Sequence, residues 1–132
     1  MITEDYVSFA TAQLLKEKGF DGKDTEDCFA FYKENGEIGF LQTFGDIADY
    51  NPENSVLCPT LQMAMKWLRG VHKIDIDILS RLSLNADDDQ CYSYVIKHQY
   101  DKYAFKTYTD GEYQYFEDAV EAALIYCLEN LI

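Results

Sequence analysis

Between Cys58 and Leu79 the hydrophobic pattern changes period once, and the change divides a helix from a strand. Leu61, Ala64, Met65, Leu68 and Val71 recur as one apolar stripe on a 3.6-residue period. Trp67 and Met63 widen that face, while Lys66 and Arg69 fall off it. Pro59 suits the first helical position, where its missing N–H is not needed, and Gly70 suits the stop. The period then drops to two. Ile74, Ile76 and Ile78 alternate with Lys73, Asp75 and Asp77, which predicts a strand with one apolar and one charged face.

The flanking segments extend the pattern. Residues from about 5 to 18 predict a first helix, with Ser8 as N-cap and Val7 as staple if the helix starts late, and with Gly19 and Phe20 closing it. Residues 28–42 predict a hairpin around Asn35-Gly36, its second arm weakened by Gly39. Residues 43–57 carry turn residues and predict a loop. Cys91 to Gln99 and Tyr103 to Tyr108 predict two further strands, with Asp110-Gly111 turning the chain afterwards. In the first of these, Tyr92, Tyr94 and Ile96 share one face, and Cys91, Ser93, Val95 and Lys97 the other. Phe116, Ala119, Val120, Ala123, Leu124, Cys127, Leu128 and Leu131 predict a long closing helix. Glu117 and Asp118 sit in its first turn, where they complement the positive end of its dipole. The sum is an α+β fold in one domain, residues 1–132. A small antiparallel sheet of about three strands plus an N-terminal hairpin is covered by two main helices, with an additional N-terminal helix beside it.

Composition narrows what such a chain touches. Its 132 residues, 48% hydrophobic, suffice for a core. No apolar run is long enough for a membrane span, and the acidic start MITEDYVSF does not resemble a signal peptide. With 24 acidic against 11 basic residues the net charge is −13, which repels phosphate backbones and anionic lipid and favours basic partners. Four widely spaced cysteines with no CxxC fit free thiols in a reducing compartment, so a cytoplasmic location is expected.

The candidate chemistry is sparse. Asp75 and Asp77 share a strand face and can hold a cation or do acid–base work, against the plainer role of a solvated sheet face. Asp87-Asp88-Asp89 lacks the spacing of a calcium loop and reads as a polar turn. His72 and His98 meet if their segments pair; with Cys58 or Cys91 they could form a nucleophile pair or part of a metal site, although no HxxxH or CxxC supports this. No phosphate-binding loop or GxSxG turn occurs. The order helix–strand–strand–strand–helix from Pro59 onward matches that of double-stranded RNA-binding domains, but Glu117 and Asp118 stand where basic residues would serve. Eight of the eleven tyrosines fall between Tyr92 and Tyr126, either filling strands that suit them or offering an interface.

VSFATAQLLKEKGF, PTLQMAMKWLRGVHKI and YFEDAVEAALIYCLENLI, at residues 7–20, 59–74 and 115–132, resemble a group of small uncharacterised proteins of gut Bacteroidales bacteria and their phages. The resemblance implies an intracellular bacterial or phage protein and carries no catalytic residue with it. The leading expectation is a small acidic interaction or accessory protein that binds a basic protein through a face bearing Tyr92, Tyr94, Asp75 and Asp77. No cofactor, nucleic acid or membrane is expected as a ligand. The alternatives are a small metal-dependent or Cys/His hydrolase and an acidic mimic of nucleic acid.

Overall fold

The computed structural model describes residues 5–21, 29–42, 44–51, 53–81, 91–101 and 104–132; Cys28 and Asp87-Asp88-Asp89 lie outside them. The fold is α+β, with two three-stranded antiparallel sheets. The chain divides into two compact units, the first ending at Trp67 and the second beginning at Leu68.

The first unit opens with α1 (Phe9–Glu17). Ser8 caps it, accepting the Thr11 N–H at 3.2 Å, and Val7 before it is fully buried. At the other end Gly19 takes φ +100°. The Phe20 N–H then reaches Leu15 O at 2.9 Å and the Gly19 N–H reaches Lys16 O at 3.2 Å, the paired bonds of a Schellman stop. Both caps fall where the pattern placed them. β1 (Ala30–Tyr32) and β2 (Ile38–Phe40) form the expected hairpin. Gly39 belongs in it for a packing reason: a Cβ there would stand 2.8 Å from Lys33 Cε and 3.0 Å from the Phe31 ring. Phe31 is fully buried, so the glycine makes room for the largest of the fully buried side chains.

The segment expected to be a plain loop holds two elements. A single helical turn, α2 (Phe44–Ile47), and a two-residue strand, β3 (Val56–Leu57), interrupt it, and β3 joins β1 in the order β2-β1-β3. The hairpin is therefore the core of its own sheet and not an appendage to the other one. α2 is fixed by Asp46, which accepts the Phe40 N–H at 2.9 Å and pairs with Lys33 at 2.6 Å. That pairing holds the Asp46 carboxyl below its usual range and raises Lys33.

α3 (Leu61–Val71) begins two residues after Pro59. Thr60 is its cap, accepting the Met63 N–H at 3.2 Å, so Pro59 precedes the helix and does not open it. The Val7 and Leu61 N–H groups reach Pro59 O and Asp5 O, which ties the start of the chain to the start of α3. Leu61, Ala64, Met65, Trp67 and Leu68 are buried, as the stripe requires, but Val71, expected to end the stripe, is 46% exposed in the last turn; Trp67 meets Phe20 edge-on at 5.5 Å. Gly70 is not the stop. It lies inside the helix, and the positive φ, +58°, falls on Lys73.

The second unit holds β4 (Ile74–Arg81), β5 (Cys91–Asp101) and β6 (Ala104–Tyr113), in the order β4-β5-β6. β6 overruns its expected end. Asp110-Gly111 is not a turn; Gly111, at φ +101°, lies within the strand, near a register shift between Tyr92 and Tyr94 of β5. A Cβ on Gly111 would lie 1.9 Å from the Tyr113 ring. The expected single sheet under two main helices is met only in part: the strands form two sheets, and of the two helices it is α4 (Phe116–Asn130) that contacts all three strands of this one. Val120, Leu124 and Leu128 are fully buried along it, each worth about 1.5–3 kcal/mol of apolar transfer. Ala119 and Ala123, also fully buried, keep the helix close to the sheet.

Candidate functional site

The register of the second sheet separates the residues expected to share a binding face. Ile76, Ile96 and Tyr108 align across the three strands, and the Tyr108 ring meets Tyr126 of α4 at 5.5 Å. Residues of that parity therefore face α4. Tyr92 and Tyr94 belong to them: Tyr92 lies edge-on to Phe116 at 6.0 Å, and Tyr94 stacks on Tyr113 at 6.3 Å and is buried. Burial, with Asp110 adding to it, pushes the Tyr94 hydroxyl up to about 12. Asp75 and Asp77 have the opposite parity and lie on the other face. There Asp77 faces Lys97 at 3.6 Å and Asp75 faces Arg69 at 3.8 Å. Alternation assigned both faces as found, but the two tyrosines are packed under α4 and are not gathered with the two aspartates.

The cysteine–histidine options are limited by the same register. The β4–β5 pairing runs from Ile74 opposite His98 at one end to Arg81 opposite Cys91 at the other. Cys91 and His98 are thus separated by about 23 Å of strand and point to opposite faces. His72 stands at the His98 end, remote from Cys91. Burial, with the His98 charge adding to it, lowers the His72 imidazole below its ordinary value. Cys58 is fully buried, its Sγ donating to Val7 O at 3.6 Å. Among the described residues, no group of three or more His, Cys, Asp or Glu side chains stands close enough to hold a metal ion. Among them, too, no helix is long and apolar enough to cross a membrane.

The first unit carries a feature that the sequence did not mark. A cleft of about 410 Å³ opens beside the β1–β2 hairpin and the start of α3, lined by Tyr6, Phe29, Phe40 and Met63 with the amides of Gln42 and Gln62. Phe29 and Phe40 are each 40% exposed at this cleft. Tyr6 is set edge-on to Phe40 at 6.3 Å. Tyr6 is positioned by the bridge that pairs it with Thr60, and Phe40 by its register opposite Ala30. Among the described residues, no charged side chain lines the cleft, although residues 1–67 carry twelve acidic against five basic side chains. An aromatic in a strand ordinarily reads as core; the signal available in advance was that Phe29, Phe31 and Phe40 are more than one short hairpin can bury.

Comparison of the chain with protein-family models, with curated proteins and with solved structures finds no match. The functional reading therefore rests on the geometry of this chain.

Proposed function

We propose that the chain is a small acidic accessory protein of the bacterial or phage cytoplasm that binds another protein, and that the aromatic cleft of the first unit is its binding face. The carrying observation is the pair of half-exposed phenylalanines, Phe29 and Phe40, held over a cleft whose described lining carries no charge, in a unit with a large excess of carboxylates. Exposed aromatics on a fixed scaffold give contact area at small entropic cost and recur as the anchors of interfaces. The surrounding negative charge selects a partner with the opposite sign and speeds its encounter. The fitting ligand is a segment with an aliphatic or aromatic anchor for the cleft, flanked by Lys or Arg. Guanidinium groups also stack on exposed aromatic faces, which the same cleft provides.

The test is capture from a lysate of the native host on immobilised protein, read by mass spectrometry, with Phe29→Ala and Phe40→Ala beads run in parallel. A basic protein retained by the parent chain and lost from both variants is the expected result. Equal capture by all three would overturn the assignment of the cleft.

A further inference from the structure

We infer that β6 is the seam at which two copies of this chain pair, antiparallel and two-fold symmetric, into a continuous six-stranded sheet. β6 is the outer strand of the order β4-β5-β6, and Lys106, Thr107, Thr109 and Asp110 along it are exposed. The direction of its backbone groups follows from the register. Gln99 N–H donates to Lys73 O at 3.1 Å, so odd-numbered residues of β5 turn their backbone groups toward β4 and even-numbered ones toward β6. Ile96 lies opposite Tyr108 and His98 opposite Lys106, so Lys106 and Tyr108 bond inward to β5. Thr107 and Thr109 then direct their N–H and C=O groups outward, away from the sheet.

A second β6 can satisfy those groups only in a register that sets odd residues opposite odd residues. The register centred on Tyr108 does so. Thr107 of each copy faces Thr109 of the other as a hydrogen-bonded pair, and Tyr108 faces its own copy as a close, non-hydrogen-bonded pair. The same register sets Lys106 opposite Asp110, twice over. Lysine on an edge strand ordinarily discourages pairing, and a bulge such as the one near Gly111 limits its length. Here the lysine meets a carboxylate one strand away, so the segment is complementary to itself in charge, in backbone direction and in the threonine pair. The bulge confines the seam to about the residues 106–110 and thereby fixes the register. This seam lies in the second unit and does not depend on the aromatic cleft.

Sedimentation velocity across a concentration series at physiological salt should show conversion from the 15.3 kDa chain to twice that mass. Thr107→Pro removes one outward N–H, a change an edge strand tolerates because the inward bonds are kept, and it should abolish the dimer while leaving circular dichroism unchanged. Lys106→Asp and Asp110→Lys should each weaken the dimer roughly tenfold, from two like-charged contacts apiece, and their combination should restore it. If Thr107→Pro fails to fold, hydrogen exchange of the parent decides: the Thr107 and Thr109 amides should slow as concentration rises. A monomer up to millimolar concentration, a dimer insensitive to the proline or to the charge swap, or exchange at these amides that ignores concentration would each overturn the inference.

Discussion

Gly111→Ala and Gly70→Ala make the same chemical change and should move stability in opposite directions. At Gly111 the new methyl group meets two obstacles. The backbone sits at φ +101°, where a side chain costs about 1–2 kcal/mol, and the methyl would stand 1.9 Å from the Tyr113 ring. The ring must leave, and the Tyr94–Tyr113 stack it makes is worth a further 0.5–1.5 kcal/mol or so. The sum is a loss of roughly 1.5–3.5 kcal/mol. At Gly70 nothing lies within 4 Å of an added Cβ, and the residue is exposed inside α3. Alanine there should gain about 0.8–1 kcal/mol from helix propensity alone. Urea melts followed by far-UV circular dichroism give both values, and thermal midpoints should shift by near 4 °C per kcal/mol for a chain of this length. A Gly111→Ala protein within about 0.5 kcal/mol of its parent would refute the reading of the β6 bulge, since surface changes away from special sites stay within that range. A destabilised Gly70→Ala protein would refute the placement of Gly70 inside the helix.

Leu68→Ala and Leu124→Ala remove fully buried side chains and should each cost about 2–5 kcal/mol by chemical denaturation; losses well under 1 kcal/mol at both would break the two apolar stripes. In thiol titration the denatured, unreduced protein should count four thiols, and in the native protein Cys91 should react well before the buried Cys58 and Cys127, the latter pushed up to about 12 by burial. The folded chain resists protonating His72 while the unfolded chain accepts the proton near pH 6.5. The stability His72 contributes is therefore whole above that value and lost as the pH falls toward the lower folded one. Urea melts between pH 7.5 and 5.5 should show a decline that His72→Gln flattens; equal slopes would remove His72 as its source.

What the sequence disclosed depended on how far each segment's burial is one-sided. α3, α4 and β4 each bury one face and leave the other wet, and their periods stand out accordingly. β3 could not be seen, because Val56 and Leu57 are too few to show any period; β1 recruits them through pairing. Gly70 and Asp110-Gly111 were misread for a shared reason. Glycine marks a stop, a turn and a bulge alike, and local sequence does not say which, whereas Lys73 took the left-handed position that glycine usually fills. For the candidate site, alternation assigned Tyr92 and Tyr94 to one face and Asp75 and Asp77 to the other, but not which face α4 would cover. Tyrosine suits both a core and an interface, so the choice waited on Tyr94 being buried and Phe40 being exposed.

The two surfaces proposed here should respond to salt in opposite ways, which allows each to be tested in the presence of the other. Residues 1–67 carry a net charge of −7 and residues 68–132 a net charge of −6, so neither surface escapes the field of the whole chain. A basic segment approaching the cleft is attracted by that field. Its association should slow as the Debye length shrinks from about 30 Å at 0.01 M salt to about 8 Å at 0.15 M. Two copies meeting at β6 each bring −13 and repel one another over the same distances. The Lys106–Asp110 contacts oppose this only locally, and exposed pairs of this kind are worth about 0–1 kcal/mol. Added salt therefore removes more repulsion than attraction, and the dimer should tighten as salt rises from 0.01 to 0.15 M while the basic partner associates more slowly. Sedimentation and surface plasmon resonance on one salt series measure the two trends. A dimer that weakens with salt would mean that the charged pairs, and not the backbone ladder of Thr107 and Thr109, hold the seam. A salt-independent on-rate at the cleft would remove charge from the recognition of its partner.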